Sequence, residues 1–326
     1  MTIKYWKLNQ EPFSTSPDPR FLYRGEMHQE ALDRLIASVT LQRGITAIVG
    51  EPGLGKSTLI RTMLYGMQDS VNIAWAFNTT MSAKDLLKYV ARDFGLKPKS
   101  DDKSELLMEL YTFLIREHEA GRIPVLIVDE SQNLSVEALE EIRQLSNLET
   151  TNKKLIQVIL AGQPQLDDYL ESPELVQLKQ RIALKARLDR LGMEDTKAYI
   201  RHRLNVAGAE ERELFSEAAL KAVAQVSDGV PRVINQICDN ALLTAAQRKA
   251  EQVDAVLIHE LVEKGVVMHV KPKPAPKQKP VVLEEFSRKQ PAAKKVKPQP
   301  KKKEAVIDKT DSNFGFIDIS ELISVL

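Results

Sequence analysis

Between residues 45 and 190, short runs of apolar residues alternate with segments whose apolar positions recur at helical spacing. Four runs are typical of buried strands: Ile45–Val49, Val71–Phe77, Ile123–Val128 and Lys154–Ala161. Helices are predicted after the first run, from a cap at Ser82, over Lys103–Glu119, from a cap at Ser135 to about Glu149, and over Glu174–Gln180 before a further strand. Strands that alternate with helices predict an α/β fold with a parallel sheet between helices.

The periodicity changes after residue 190. Helical spacing runs through four segments with no strand-like run between them: Met193–Ala207, Ser216–Ser227, Pro231–Arg248 and Val253–Lys264. The pattern therefore predicts an α/β core over residues 43–190, followed by a small all-helical domain over residues 191–266.

A polar and aromatic lead-in precedes the core. Its prolines at positions 12, 17 and 19 exclude an α-helix over residues 5–23, and a helix is predicted from His28 to about Gln42. Phe13, Phe21 and Tyr23 are bulky enough to pack on the folded body, or to form one wall of an adenine pocket, and both interpretations stay open. We assign residues 1–42 to the same module as the core.

The composition shifts again near the C-terminus. Residues 271–303 hold seven prolines and twelve Lys/Arg against two Glu, so we expect residues 267–310 to form a disordered linker. Its charge would serve as a solubilising tether or attract nucleic acid or anionic lipid. Within residues 311–326, apolar side chains recur at helical spacing at Ile319, Leu322, Ile323 and Leu326. This stripe predicts a docking peptide for a protein partner; folding back onto its own chain is the alternative.

Composition and charge limit the function further. The chain has 326 residues, 43% hydrophobic, and one cysteine, which excludes an internal disulfide and is typical of a reducing cytoplasm. The N-terminus lacks a signal-peptide layout and no apolar run is long enough for a membrane span, so we expect a cytoplasmic protein recruited to the inner membrane only through a partner or charge. The net charge of +1 divides into +6 over residues 271–326 and −5 over residues 1–270, which is unlike a strongly basic nucleic-acid binder.

The candidate chemistry begins at Gly50–Ser57, which matches the phosphate-binding loop pattern G-x-x-x-x-G-K-[ST] at every fixed position. Glycines let the backbone turn tightly and present its N–H groups to an anion. Lys56 would add positive charge at the β/γ-phosphates, and the Ser57 hydroxyl would coordinate Mg²⁺. A strand before the loop and a helix after it favour a nucleotide site over a chance loop. The candidate binding residues are Gly50, Glu51, Pro52, Gly53, Leu54, Gly55, Lys56, Ser57 and Thr58.

Polar residues follow two other predicted strands. Asp129 and Glu130 end the third strand, where Asp129 would hold Mg²⁺ and Glu130 would polarise the attacking water. Solvated acids at the end of a core strand are the alternative. Gln163 follows the fourth strand, where it would sense the γ-phosphate or position the water, or serve as a turn residue.

Arginines supply the remaining candidates. Arg181 precedes a predicted strand and is our first candidate for an arginine finger that acts between subunits, with Arg187 second. A solvated face and a nucleic-acid edge are the alternatives for these residues. Arg232 stands at the start of a predicted helix, from which it would reach the nucleotide phosphates; a surface arginine is the alternative.

Taken in order, these motifs resemble the ExeA/GspA-like family of AAA+ ATPases over about residues 3–264. The segments that carry the resemblance are Pro12–Tyr23, Met27–Leu32, Gly50–Ser57, Val128–Leu134, Ala161–Leu166 and Gly229–Arg232. The resemblance implies an AAA+ module followed by a helical lid. It assigns Walker A to Lys56 and Ser57, Walker B to Asp129 and Glu130, sensor 1 to Gln163, sensor 2 to Arg232, and an adenine-side role to Phe21 and Tyr23.

The resemblance also implies ATP hydrolysis with Mg²⁺ in a ring or filament of subunits. Secretion-type members carry a membrane span and a peptidoglycan-binding domain after the lid, in place of the linker and apolar end seen here. We therefore expect a short member, without cell-wall binding, that drives or regulates assembly of an envelope machine such as a secretion system, pilus or polysaccharide exporter. A DNA-binding ATPase that recruits a transposase, and a switch whose nucleotide state controls docking, are the alternative hypotheses.

Overall fold

The computed structural model describes residues 2–77, 81–151, 153–210 and 212–267. The predicted linker from residue 268 onward and the predicted docking peptide lie outside this part of the chain. The strands are β1 (Ile45–Gly50), β2 (Val71–Ala76), β3 (Ile123–Val128), β4 (Gln157–Gly162) and β5 (Ile182–Leu188). The helices are α1 (Thr2–Tyr5), α2 (Glu26–Thr40), α3 (Lys56–Gly66), α4 (Ala83–Asp93), α5 (Lys103–Glu119), α6 (Val136–Ser146), α7 (Gln165–Leu170), α8 (Val176–Arg181), α9 (Met193–Val206), α10 (Glu217–Ser227), α11 (Pro231–Gln247) and α12 (Ala255–Glu263).

The five strands form one parallel sheet in the order β2-β3-β4-β1-β5, which confirms the predicted α/β fold. The fourth strand begins at Gln157 and not at the predicted Lys154. Lys154 forms an isolated antiparallel bridge with Glu149, so this turn also ends α6 earlier than the pattern predicts.

Helices cover both faces of the sheet. Successive residues of a strand point to opposite faces, so Leu126 lies in one core cluster and Ile127 in the other. One cluster is completed by side chains from α4, α5 and α6, and the other by side chains from α2 and α3. Both faces of β1 and β4 are therefore buried. This packing holds the ends of the two strands in place and so positions the loops that follow them.

A third core cluster lies among α9, α10, α11 and α12. The lead-in belongs to this cluster, because Trp6, Leu8, Phe13 and Phe21 are buried in it. The indole Nε1–H of Trp6 donates to the carbonyl of Leu242 in α11 at 3.0 Å. The stretch we assigned to the α/β module, residues 1–42, is thus divided between two cores, since α2 packs on the sheet while the aromatic residues before it pack on the helices.

The turn between α10 and α11 and the start of α11 contact the segment after β5 and the glycine-rich loop. The N–H of Leu191 donates to the carbonyl of Gly229 at 2.9 Å. Gly229 has φ +71°, and a Cβ there would lie 2.0 Å from the carbonyl oxygen of Leu191, so only glycine fits. Next to it, the N–H of Arg232 donates to the carbonyl of Gly53 at 3.1 Å, which seats the start of α11 on the glycine-rich loop.

No helix in the described part of the chain has the length and apolar character that a membrane span requires.

Candidate functional site

A cleft of about 370 Å³ opens where the loop after β1 faces the lead-in and the helices that follow the sheet. Its lining includes most of the residues singled out from the sequence: Phe21, Tyr23, Pro52, Gly53, Leu54, Gly55, Lys56, Ser57, Thr58, Asp129, Glu130 and Arg232. Four predicted site residues, Gly50, Glu51, Gln163 and Arg181, lie outside the lining.

The glycine-rich loop turns as the sequence pattern requires. Gly53 and Gly55 have φ +85° and +97°, values that L side chains rarely adopt, and Gly55 is the N-cap of α3. A Cβ on Gly50 would lie 2.8 Å from the carbonyl oxygen of Leu188 in β5. The N-terminus of α3 thus lies at the cleft, where the helix dipole and free N–H groups favour an anion.

Lys56 is the first residue of α3 and is 6% exposed. Its Nζ donates to the carbonyl of Gly50 at 2.7 Å and to that of Glu51 at 3.2 Å, so the loop itself holds the ammonium group. Burial lowers the pKa of Lys56, while the carboxylates of Glu130 and Asp129 act in the opposite direction. A phosphate in the cleft would add a stronger, charged acceptor for this donor.

Ser57 and Asp129 meet across the cleft floor. The Ser57 hydroxyl donates to Oδ2 of Asp129 at 3.2 Å, although 72 positions separate the two residues in the chain. The other carboxylate oxygen, Oδ1, accepts the N–H of Glu130 at 3.0 Å. A hydroxyl beside a carboxylate is a pair of hard oxygen ligands of the kind that Mg²⁺ prefers, so these residues fit the predicted metal.

Glu130 is held by two glutamine side chains. Its Oε2 accepts a hydrogen bond from Nε2 of Gln163 at 2.9 Å and from Nε2 of Gln132 at 2.5 Å. The N–H of Gln163 in turn donates to Oε1 of Gln132 at 3.1 Å. Gln163 therefore does not line the cleft itself, but its side chain hydrogen-bonds to the Glu130 carboxylate, which does. Gln132 was missed from the sequence, although its place two residues after the acids was a usable signal.

The three candidate arginines lie in different places. Arg232 is exposed and lines the cleft, and its backbone contacts the loop at Gly53. Arg181 is exposed at the end of α8 and does not line the cleft of its own chain. Arg187 lies beside Asp189, with Nε 3.4 Å from the carboxylate. An action of Arg181 at a phosphate would thus have to occur in a neighbouring subunit.

A buried arginine shapes the opposite wall. Arg203 in α9 is 7% exposed, and its guanidinium lies 4.8 Å from the ring centroid of Phe21. Its Nε donates to the carbonyl of Pro12 at 2.6 Å, and its Nη2 donates to that of Ser14 at 3.1 Å. Tyr23, also in this wall, donates its hydroxyl to Asp195 at 3.1 Å. Phe21 and Tyr23 therefore pack against the helices and line the cleft together, so the two interpretations of the lead-in are compatible.

His28 is a buried residue that contacts the backbone of the glycine-rich loop. It is 5% exposed, and its Nε2 lies 3.3 Å from the carbonyl of Leu54. Burial lowers the pKa of His28, and the contact with Leu54 and the charge on Asp195 oppose that effect. Since a carbonyl only accepts, Nε2 carries the ring proton. Arg203 and His28 were not chosen as site residues from the sequence, because neither stands in a motif with a chemical role.

The sheet, the glycine-rich loop and the paired acids define an AAA+ module, and residues 39–170 match the family described as AAA domain. General secretion pathway protein A of Aeromonas hydrophila is 39% identical over 258 residues, which cover 78% of this chain and 46% of that protein. The chain belongs to the ExeA/GspA-like AAA+ family. It spans about half the length of this relative.

Two further comparisons place the chain more broadly. The ATP-dependent target DNA activator B of Escherichia phage Mu is 27% identical over 260 residues, which cover 77% of this chain and 76% of that protein. The solved structure of the Aeropyrum pernix ORC2 protein, in ADPNP and ADP complexes, has a TM-score of 0.61 at 18% identity and covers 79% of this chain and 72% of that chain. This likeness supports the fold.

Proposed function

We propose that the protein hydrolyses ATP to ADP and phosphate. The observation that carries the proposal is the position of the Glu130 carboxylate. It lies in the lining of the same cleft as the glycine-rich loop, and two amide donors hold it there. The AAA domain match is consistent with a nucleotide site at this position.

Binding would use the loop, Lys56 and the start of α3 for the β- and γ-phosphates. Ser57 and Asp129 would hold Mg²⁺, which, when bound, offsets charge on the phosphate oxygens. Arg232, at the mouth of the cleft, would contact the same phosphates from the helical lid. The base would enter on the side of Phe21 and Tyr23, where the lead-in and α9 form the wall.

Glu130 would orient the water that attacks the γ-phosphorus. Both glutamine amides donate to the same oxygen, Oε2, so Oε1 is the oxygen placed to accept from a water. The water oxygen forms a bond to phosphorus as the bond to the β-phosphate oxygen breaks, and the carboxylate takes up the water proton. Gln163 holds Glu130 in this orientation, which is a positioning role.

Self-assembly would complete the site. Arg181 is exposed and lies away from its own cleft, so we place it in the cleft of the next subunit of a ring or filament. A cation there would stabilise charge on the γ-phosphate in the transition state. Hydrolysis would then depend on protein concentration.

The process we propose is the assembly of a bacterial envelope machine from the cytoplasmic side, because the relative at 39% identity is named for the general secretion pathway. Residues 311–326 would recruit the protein partner. A pilus or a polysaccharide exporter is a second machine of the same kind. A DNA-binding ATPase remains the alternative, supported by the 27% identity to a target DNA activator.

The test of hydrolysis is a phosphate-release assay on wild type and Glu130→Gln, with binding of the fluorescent nucleotide mant-ATP measured in parallel. We expect Glu130→Gln to bind mant-ATP as wild type does and to lose turnover by about 100-fold or more. Unchanged turnover in Glu130→Gln would remove Glu130 from this role.

The test of the process uses two measurements. A DNA gel shift with ATP, repeated over a range of salt concentrations, would show steeply salt-dependent binding only if the DNA-binding alternative is correct. Deletion of residues 311–326 should abolish retention of the partner that the full chain retains while leaving ATP turnover intact. Equal retention by both forms would contradict recruitment through this segment.

A further inference from the structure

Arg190 lies where three parts of the structure meet: the α/β core, the glycine-rich loop (Gly50–Ser57) and the helical lid, which consists of α9–α12. It follows β5 by two residues and is partly buried, with a side chain 21% exposed. Its Nε and Nη2 donate to Oε2 of Glu51 at 2.8 Å and 2.6 Å. Its Nη1 donates to Oδ2 of Asp228, at the turn between α10 and α11. One guanidinium thus joins the second residue of the phosphate loop to the lid.

Two backbone hydrogen bonds join the same elements. Leu191 donates to the carbonyl of Gly229 at 2.9 Å, and Arg232 donates to the carbonyl of Gly53 at 3.1 Å. Asp228 has φ +47°, a left-handed conformation that is uncommon outside glycine. The position of Arg232 at the cleft therefore depends on a turn whose first residue is held by Arg190.

Arg190 also affects the charge near the cleft, because it pairs with the carboxylates of Glu51 and Asp228. The side chains of Glu51 and Asp228 are 22% and 34% exposed, so water screens their carboxylates only in part. Burial by itself would lower the pKa of Arg190, but hydrogen bonds and charge from Glu51 and Asp228 raise it above its usual value, so the guanidinium stays charged. Arg190 therefore offsets negative charge at the second residue of the loop that would receive a polyanion.

We propose that Arg190 is a positioning residue for nucleotide binding, which neutralises Glu51 beside the phosphates and holds the lid turn that places Arg232. This inference rests on the proposed function, because it assumes a nucleoside di- or triphosphate in the cleft. Arg190 lies outside the cleft lining, so it acts through Glu51 and Asp228. Its removal should weaken nucleotide binding more than it weakens the fold.

The experiment measures mant-ATP affinity by fluorescence titration, at low and high salt, together with the midpoint of denaturant unfolding. The variants are wild type, Arg190→Ala, Glu51→Gln and the double variant Arg190→Ala/Glu51→Gln. Arg143→Ala is the matched control, since Arg143 is 17% exposed and pairs with Glu140 on α6, away from the cleft lining.

We expect Arg190→Ala to weaken mant-ATP affinity by about tenfold at low salt, and less at high salt, because the Glu51 carboxylate, in the loop that would bind the phosphates, loses the guanidinium that offsets its charge. Adding Glu51→Gln should recover most of this loss. Arg143→Ala should bind as wild type does. Glu51→Gln restores no contact that Arg190→Ala removes. Recovery of mant-ATP affinity in the double variant would therefore show that Arg190 acts by compensating charge and not only by supporting the structure.

Two results would overturn the inference: Arg190→Ala binding within about twofold of wild type, or a double variant as weak as Arg190→Ala alone. Should Arg190→Ala fail to fold, Arg190→Gln, which is shorter and uncharged but keeps an amide donor, carries the same comparison with the same expected and contrary results. Absence of mant-ATP binding by wild type would overturn the proposed function as well, whereas wild-type binding with an unaffected Arg190→Ala would overturn this inference alone.

Discussion

The carboxylate of Glu130 accepts a hydrogen bond from the side-chain amide of Gln163 at 2.9 Å. Glu130 follows β3 and Gln163 follows β4, and these strands are neighbours in the sheet. The contact therefore arises because parallel neighbouring strands end at the same edge, where their following loops meet.

This contact predicts a specific loss in Gln163→Ala. We expect ATP turnover to fall by about tenfold to 100-fold while mant-ATP affinity changes little, because the variant removes one of the two amide donors that orient the carboxylate and leaves the glycine-rich loop intact. Phosphate release and nucleotide titration measure the two effects. Gln144→Ala on the exposed side of α6 is the matched control, and equal turnover in Gln163→Ala and this control would contradict the role.

Lys56→Ala should bind mant-ATP at least about 100-fold more weakly than wild type, since a buried cation aimed at the phosphates is lost. The variant should still fold, because within the described part of the chain Nζ hydrogen-bonds only to the carbonyls of Gly50 and Glu51. Lys154→Ala, which removes an ion pair with Glu149 on the turn before β4, is the control. Wild-type affinity in Lys56→Ala would exclude the loop as the phosphate site.

His28 predicts a loss of stability in mild acid. Burial lowers its pKa in the folded state from the ordinary value of 6.5, so below that pH the unfolded chain takes up a proton that the folded chain does not. The free energy of unfolding should therefore fall as the pH drops from about 7.5 to 5.5. His202, whose pKa is lowered by burial and by the charge on Arg203, adds to this dependence.

The variant His28→Gln should show a smaller loss over the same pH range, because its amide does not titrate and can still donate to the carbonyl of Leu54. Each unit by which the pKa of His28 is lowered corresponds to about 1.4 kcal/mol. Denaturant unfolding at several pH values measures the slope, with His259→Gln on the exposed side of α12 as control. An equal slope in wild type and His28→Gln would contradict the prediction.

Gly229→Ala should destabilise the fold by more than about 3 kcal/mol, since the new Cβ would meet the backbone of Leu191 in addition to the strain of a positive φ. Gly121→Ala is a closely matched control. Gly121 has φ +72°, yet no atom lies within 4 Å of an added Cβ, so this variant carries the strain alone. We expect it to cost about 1 kcal/mol in the free energy of unfolding. If the two variants lose similar amounts of unfolding free energy, the backbone of Leu191 can move away from the new Cβ without destabilising the fold, and the prediction is wrong.

Local patterns in the sequence determined a large part of this protein. The apolar runs predict four of the strands with their approximate bounds, and the serine caps at Ser82 and Ser135 stand at the predicted helix starts. The pattern Gly50–Ser57 predicts a tight loop between a strand and a helix, because glycine spacing and the first helical turn are properties of consecutive residues.

Only the tertiary structure decided which side chains meet. Gln132 beside Gln163, Arg203 beneath Phe21 and Arg190 between Glu51 and Asp228 are contacts between elements that sheet order and helix packing bring together. A sequence shows that such a residue is polar, but its partner depends on the ends of neighbouring strands and on how the lid sits on the loop. The lead-in shows the same limit: its aromatic residues predicted burial, and packing among α9–α12 decided in which core they lie.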